Sequence, residues 1–244
     1  VAAPPSSYAV DLLLGAGSVT RAYVAHVSFD HLGLAPNFRR AAETGSVDLV
    51  DCDEATVLAG LMATLEGLPS HPVTSIRGTD LIATSPLAAQ QDWTGIGLVS
   101  APVAMRPDVC ILHAQQADEY GNVRYFGTPF CDALFAKVAQ IVIVTVDEIV
   151  SNEAIRSAPH ETVIPSYLVD AIVEAPYGAH PCASQGLYTH DETHLSSYIT
   201  LGASETRWRR EYLDQFVMAP VDLDNYVSLV GGRNHIDRLA EVVA

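Results

Sequence analysis

Val47-Asp48-Leu49-Val50-Asp51 is a short apolar run that leads through Asp53-Glu54 into Val57, Leu58, Leu61, Met62 and Leu65, apolar positions spaced three and four apart. The run predicts a strand over 47–51, and the spacing predicts a helix over Glu54–Glu66 with one apolar face. A strand followed at once by a helix that must lie on a sheet is the unit of an α/β fold with largely parallel strands. The same alternation predicts strands near 20–27, 73–76, 96–100, 108–113, 123–126, 141–145 and 169–174, with helices over 7–14, Pro36–Thr44 and 129–140. The last quarter differs: 192–204, 205–217 and 223–243 read as helices, with turn signals at Gly202-Ala203 and Ala219-Pro220. The expectation is one α/β domain over 1–244, an open, mostly parallel sheet flanked by helices, with a helical C-terminal extension over 190–244.

Composition narrows the function. The 244 residues are 49% hydrophobic and 17% charged, and no apolar stretch approaches the roughly 18 residues of a spanning helix. Val1-Ala2-Ala3-Pro4-Pro5 has neither the basic start nor the apolar run of a signal peptide, so a soluble, cytoplasmic protein is expected. A net charge of −16, offset only at Arg207-Trp208-Arg209-Arg210, argues against nucleic acid and anionic membranes as partners. Cys52, Cys110, Cys131 and Cys182 form no C-x-x-C pair and read as reduced thiols.

Several local patterns invite chemistry. From Ile111 to Val123 a polar run follows a buried-looking strand, and the carboxyl ends of strands in open parallel sheets are where ligands bind. Tyr120-Gly121-Asn122 also reads as a plain tight turn. Gly15-Ala16-Gly17 lacks the third glycine of a dinucleotide loop and reads as a helix C-cap. His190 and His194 stand four apart without the H-E-x-x-H order, and no metal is expected. His113 and His180 read as structural histidines at strand ends. Asp53 and Glu54 have the residue types that an N-cap and a first helical turn favour without any catalysis. No G-x-S-x-G elbow or P-loop is present.

His113-Ala114-Gln115-Gln116-Ala117-Asp118-Glu119-Tyr120-Gly121-Asn122 is similar to the His-Ala…Ala-Asp-x-x-Gly-Asn signature of the alpha subunit of family I coenzyme A transferases, of the glutaconate CoA-transferase type. The run from Lys137 to Val150, then Ile164-Pro165, the stretch from Val169 to Pro181, and Gly186-Leu187-Tyr188 resemble the same family in the same order. The resemblance extends from about Ser7 to Tyr188. It implies a CoA-transferase-like fold and a site lined by His113, Gln116, Asp118, Gly121 and Asn122. It also implies a reaction without a cofactor, in which a CoA thioester and a carboxylic acid are the substrates.

The family chemistry is attack of a glutamate carboxylate on an acyl-CoA, giving an acyl-glutamyl anhydride and then a glutamyl-CoA thioester. In two-chain members that glutamate lies on a beta subunit, so this chain is expected to act as half of a heterodimer or heterotetramer. Family alpha subunits begin with a strand and glycine-bearing loop ahead of this sequence, so the chain is expected to lack an N-terminal βα unit. A related steroid ring-cleaving CoA-ester hydrolase carries a catalytic glutamate at the position matching Glu54, which makes Glu54 the candidate catalytic residue. Related folds also serve as effector-binding modules, a third and non-catalytic reading. Arg39, Arg40 and Arg124 are the local cations available for CoA phosphates in so acidic a chain, and the partner is expected to hold the nucleotide.

Overall fold

The computed structural model describes residues 1–87, 90–91, 95 and 99–243. They form two compact units: Val1–Met105 with Ser196–Met218, and Arg106–Leu195 with the residues from Ala219 onward.

In the first unit, α1 (Tyr8–Ala16) and β1 (Arg21–Tyr23) precede α2 (Pro36–Thr44), β2 (Asp48–Val50) and α3 (Glu54–Glu66). β1 and β2 pair in parallel, with Arg21 opposite Asp48 and ion-paired to it at 2.5 Å. The βα unit read from 47–66 is thus present; of the expected apolar face of α3, Val57 and Leu61 are buried, Leu58 and Met62 half-buried, and Leu65 in the last turn exposed. α1 ends on Gly17 at φ +76°, whose N–H reaches back to the carbonyls of Leu13 and Leu14. That left-handed position suits glycine and confirms the C-cap reading of Gly15-Ala16-Gly17.

α1 packs closely because Gly15 has no side chain: a Cβ there would lie 2.5 Å from the Trp208 ring and 2.6 Å from Asn37. Beside it the buried Asp11 carboxylate accepts from the Tyr198 hydroxyl (2.6 Å), Asn37 Nδ2 (3.0 Å) and the Phe38 N–H (2.6 Å). Burial pushes the Asp11 carboxyl up, and these donors offset only part of the rise.

Two sequence expectations in this unit are corrected. The stretch 20–27 divides into β1 and a separate two-residue strand, His26–Val27, which pairs with Pro5–Ser6. The expected strand at 73–76 is one bridge, Val73 to Ser100, followed by a turn through Gly78 at φ +79°. Of the strand expected at 96–100, 96–98 lie outside the described residues, and Val99–Ser100 pairs with Gln90–Gln91.

The second unit is built on a five-stranded sheet: β3 (Val109–Asp118), β4 (Val123–Arg124), β5 (Ile141–Val150), β6 (Thr162–Ile164) and β7 (Ala171–Glu174), in the order β6-β4-β3-β5-β7. β3, β5 and β7 are parallel and carry most of the register, whereas β4 and β6 extend one edge antiparallel. α4 (Asp132–Val138) and α5 (Asn152–Ser157) complete the βα alternation. Cys110, Ala114, Val142, Val144 and Val146 face Val123, Ala136 and Ile164 in one dry core. The opposite face leaves Val109, Ile111, Ile141 and Val173 exposed, Ile111 by 71%.

β3 and β5 run five residues beyond their expected ends, since 109–118 and 141–150 share one parallel register. The polar residues there do not end the strands because their side chains find partners. Gln115 donates to Ser184 and accepts from the Phe126 N–H, and Asp118 is capped by the following turn.

The C-terminal helices are α6 (Glu192–Gly202), α7 (Glu205–Trp208), a π-helix (Arg209–Met218), α8 (Leu223–Leu229) and α9 (Arg233–Glu241). The single helix expected over 223–243 is broken at Gly231-Gly232, both at positive φ (+109° and +79°), which no continuing helix accommodates. Among the described residues no helix is long and apolar enough to cross a membrane.

Candidate functional site

The first cluster forms where β2 ends and α3 begins. Asp53 caps α3: its Oδ1 accepts from the Thr56 N–H at 2.8 Å and from the Thr56 hydroxyl. Burial would raise the Asp53 carboxyl, but the donors Thr56 and Ser75 outweigh it and hold the group below its ordinary value. Capping therefore consumes Asp53 and not Glu54. Glu54, the first residue of the helix, is exposed and makes no hydrogen bond or ion pair among the described residues. It sits at the carboxyl end of a parallel strand, at the start of α3.

Cys52, two residues earlier, is buried against Val50, Val57 and Leu87. Burial, reinforced by Asp53 and Asp51, pushes its thiol up to about 11. A thiol so held stays protonated at neutral pH and supplies no thiolate nucleophile. The corner thus presents two exposed carboxylates without a hydrogen bond or ion pair among the described residues, Asp51 and Glu54, and only Glu54 stands on the helix.

The second unit carries the other candidates, and they fall into two arrangements. Asp118, Gly121 and Asn122 build one turn. The Asp118 carboxylate is fully buried and accepts from the N–H groups of Tyr120 (3.1 Å) and Asn122 (2.9 Å) and from the amides of Asn122 (2.8 Å) and Asn152 (2.7 Å). Asn122 Oδ1 in turn accepts from the Ser166 N–H at 3.1 Å, and Gly121 adopts φ +93° with Val169 and Ser166 close by. The Asp-x-x-Gly-Asn pattern therefore has a complete structural explanation. It ties the end of β3 to α5 and to the segment after β6. Gln116 points elsewhere and donates to the Glu148 carboxylate at 2.8 Å.

Burial acts to raise the Asp118 carboxyl, but its four donors outweigh it and hold the group below the ordinary carboxylate value. A depressed folded-state value gives stability that is present above the unfolded value of about 3.9 and lost as pH falls through the folded one. Asp118→Asn is expected to be less stable than the wild type at neutral pH by about 1–3 kcal/mol, because an amide aims N–H groups at donors. The gap between the two proteins is expected to close as pH falls below about 4. Urea unfolding at a series of pH values checks both expectations.

His113 lies mid-strand and not at a strand end, and it belongs to a second network. Its Nε2 is 3.0 Å from Asp147 Oδ2 and its Nδ1 2.8 Å from the Thr145 hydroxyl. A carboxylate only accepts, so the Asp147 contact fixes a proton on Nε2. Asp147 also accepts from the Ser184 hydroxyl (2.6 Å), the Tyr177 N–H (2.8 Å) and the Tyr188 hydroxyl (3.3 Å). Gly178 permits the approach of the chain, since a Cβ there would lie 2.8 Å from the His113 ring. Asp147 and Ser184 are not singled out by the sequence patterns, and Tyr188 enters there only within Gly186-Leu187-Tyr188, without a role. The signal available is a carboxylate inside the apolar run from Ile141 to Val150, which demands buried donors.

The cations weighed for CoA phosphates are engaged. Arg124 is buried and donates to the carbonyls of Ala154, Ile155 and Ala158, closing the end of α5. Arg40 bonds Asn37 Oδ1 and the Gly202 carbonyl, and Arg39 pairs with Glu43 at 2.8 Å. Cys52 and Cys110 are buried thiols.

A profile of the Coenzyme A transferase family matches residues 6–175. The chain belongs to that family.

It is 31% identical to the A-type subunit of glutaconate CoA-transferase from Acidaminococcus fermentans, over 93% of this chain and 76% of that protein. The crystal structure of that glutaconate coenzyme A-transferase superposes with a TM-score of 0.89 at 30% identity, covering 96% of this chain and 79% of that one. The cholesterol ring-cleaving hydrolase IpdA subunit of Mycobacterium tuberculosis is 31% identical over 82% of this chain and 72% of that protein. A protein of Archaeoglobus fulgidus is 35% identical over 99% of this chain. The chain spans about half of that relative, 54% of its length.

Proposed function

We propose that this chain is the alpha subunit of an acyl-CoA:carboxylate CoA-transferase, acting with a beta subunit. The observation that carries the proposal is its similarity, along 93% of its length, to the A-type subunit of a glutaconate CoA-transferase. The beta subunit's glutamate attacks the thioester carbonyl and expels CoA thiolate, leaving an acyl-glutamyl anhydride. The thiolate then attacks the glutamyl carbonyl and releases the first acid. The acceptor carboxylate repeats the sequence in reverse and leaves as a new acyl-CoA, with no net water consumed.

Two features support a partner. The exposed apolar residues Val109, Ile111, Ile141 and Val173 share one face of β3, β5 and β7, an unfinished surface of the kind that protein partners cover. The relative matched along 93% of this chain is itself named as one subunit of its enzyme. Co-expression with a beta-type chain, followed by assay of CoA exchange between an acyl-CoA and free acids, tests the reading. Exchange by the pair and none by this chain alone is expected; release of free CoA with no exchange for any acid refutes it.

The exposure of Glu54 favours a second reading, a CoA-ester hydrolase of the same architecture in which Glu54 serves as general base toward water. Similarity to the IpdA subunit supports it. The two readings differ in whether an acid or water accepts the acyl group.

A further inference from the structure

Away from these clusters, the segment after β7 meets the start of α6 and the last helix. His180 Nε2 lies 3.2 Å from Asp191 Oδ2, and His235 Nε2, on α9, lies 2.5 Å from the same oxygen. The three donor atoms all fall within 4.8 Å of one another. His180 and Asp191 are buried, whereas His235 is partly open to solvent. We propose that His180, Asp191 and His235 form a binding site for one divalent transition-metal ion of the zinc class.

The donor set selects the ion. Two imidazole nitrogens and one carboxylate oxygen suit zinc and its neighbours, whereas magnesium and calcium take shells of oxygen. Bonds of about 2.0–2.2 Å in tetrahedral geometry separate neighbouring ligand atoms by roughly 3.3 Å. The His180 to Asp191 separation of 3.2 Å already meets that spacing. The His235 contact at 2.5 Å is a hydrogen bond, and it must open by about 0.8 Å when the ion takes the place of the shared proton. The carboxylate only accepts, so both imidazoles carry a proton on Nε2 and both pass it to Nδ1: at His180 the Tyr226 hydroxyl accepts it, and at His235 it displaces the Arg238 contact. The Arg238 guanidinium, now 3.2 Å from Nδ1 and exposed, moves into solvent. Three protein ligands leave the fourth position to water.

The outer contacts hold this geometry in advance. The Tyr226 hydroxyl lies 2.7 Å from His180 Nδ1 and orients the ring so that Nε2 faces Asp191. The His194 N–H donates to Asp191 Oδ1 at 2.9 Å, which directs the other carboxylate oxygen at the two imidazoles. The His194 ring packs edge-on against His180, with centroids 5.3 Å apart. Such partners fix ligand orientation in metal sites and add to affinity. A bound ion would join α9 to the segment before α6, holding together residues 55 positions apart in the chain by one bond network.

Titration of the chelator-treated full chain with zinc by calorimetry, and with cobalt by visible absorption, tests the proposal. One ion per chain, ligand-field bands from cobalt and a metal-dependent rise in melting temperature are expected. His235→Ala and His235→Gln, both checked for an unchanged circular dichroism spectrum, are expected to bind zinc at least about tenfold more weakly. His190→Ala, which removes an imidazole outside the set, is expected to bind as the wild type does. No saturable binding by the wild type overturns the proposal, as does wild-type affinity in both His235 variants or an equal loss in His190→Ala.

Discussion

Asp147→Ala is expected to destabilise the second unit by about 3–5 kcal/mol. The carboxylate receives the Ser184 and Tyr188 hydroxyls, the Tyr177 N–H and the His113 ring, and its side chain is only 6% exposed. Alanine leaves all four donors facing a cavity. Each unsatisfied buried donor costs about 1–3 kcal/mol, and water entering the space recovers part of the sum. Asp147→Asn keeps the volume and one acceptor oxygen but turns an amide N–H toward a donor, so a smaller loss of about 1–3 kcal/mol is expected. Urea unfolding followed by circular dichroism ranks the two variants. Equal stability of Asp147→Ala and the wild type would show that the network is dispensable.

Glu54→Ala is expected to act on chemistry with little effect on folding. The side chain is exposed and unpaired, and its loss removes only a favourable charge at the start of α3, worth about 0.3–1 kcal/mol. Any release of CoA into water by the assembled enzyme is expected to fall by about 10²–10⁴-fold, the usual contribution of a general base. CoA exchange between acids is expected to persist, because the transfer reading places the nucleophile on the partner. Measuring both rates on one preparation separates the reactions. Unchanged release reduces Glu54 to a helix-start residue.

The fold is legible in the sequence where a period or a special backbone position dictates the answer. The βα unit through Glu54–Glu66 follows from spacings of three and four, and Gly17 from its place after an apolar helix. Strand ends are less legible. Polar residues from Gln115 to Asp118 have the composition of a loop, yet tertiary partners such as Ser184 and Asn152 satisfy them within the strand. The break at Gly231-Gly232 is visible as a glycine pair, but the helical pattern on either side masks it.

The candidate site divides in the same way. Asp118, Gly121 and Asn122 stand out by pattern, and hydrogen bonds within and around the turn account for all three. Asp147 and the grouping of His180 with His235 depend on contacts between residues more than 30 positions apart, which no local pattern encodes. Glu54 is legible because strand, cap and helix are contiguous there.

If this chain completes a transferase, the acyl and CoA intermediates are carried by the partner's glutamate. Intact-mass spectrometry of the co-purified pair, incubated with an acyl-CoA and no acceptor acid, tests that claim most directly. The beta chain is expected to gain the mass of coenzyme A less one water, the product of a thioester bond, while this chain's mass is unchanged. Loss of that adduct on adding an acceptor acid completes the cycle. Steady release of free CoA with both chains at their original masses would contradict it.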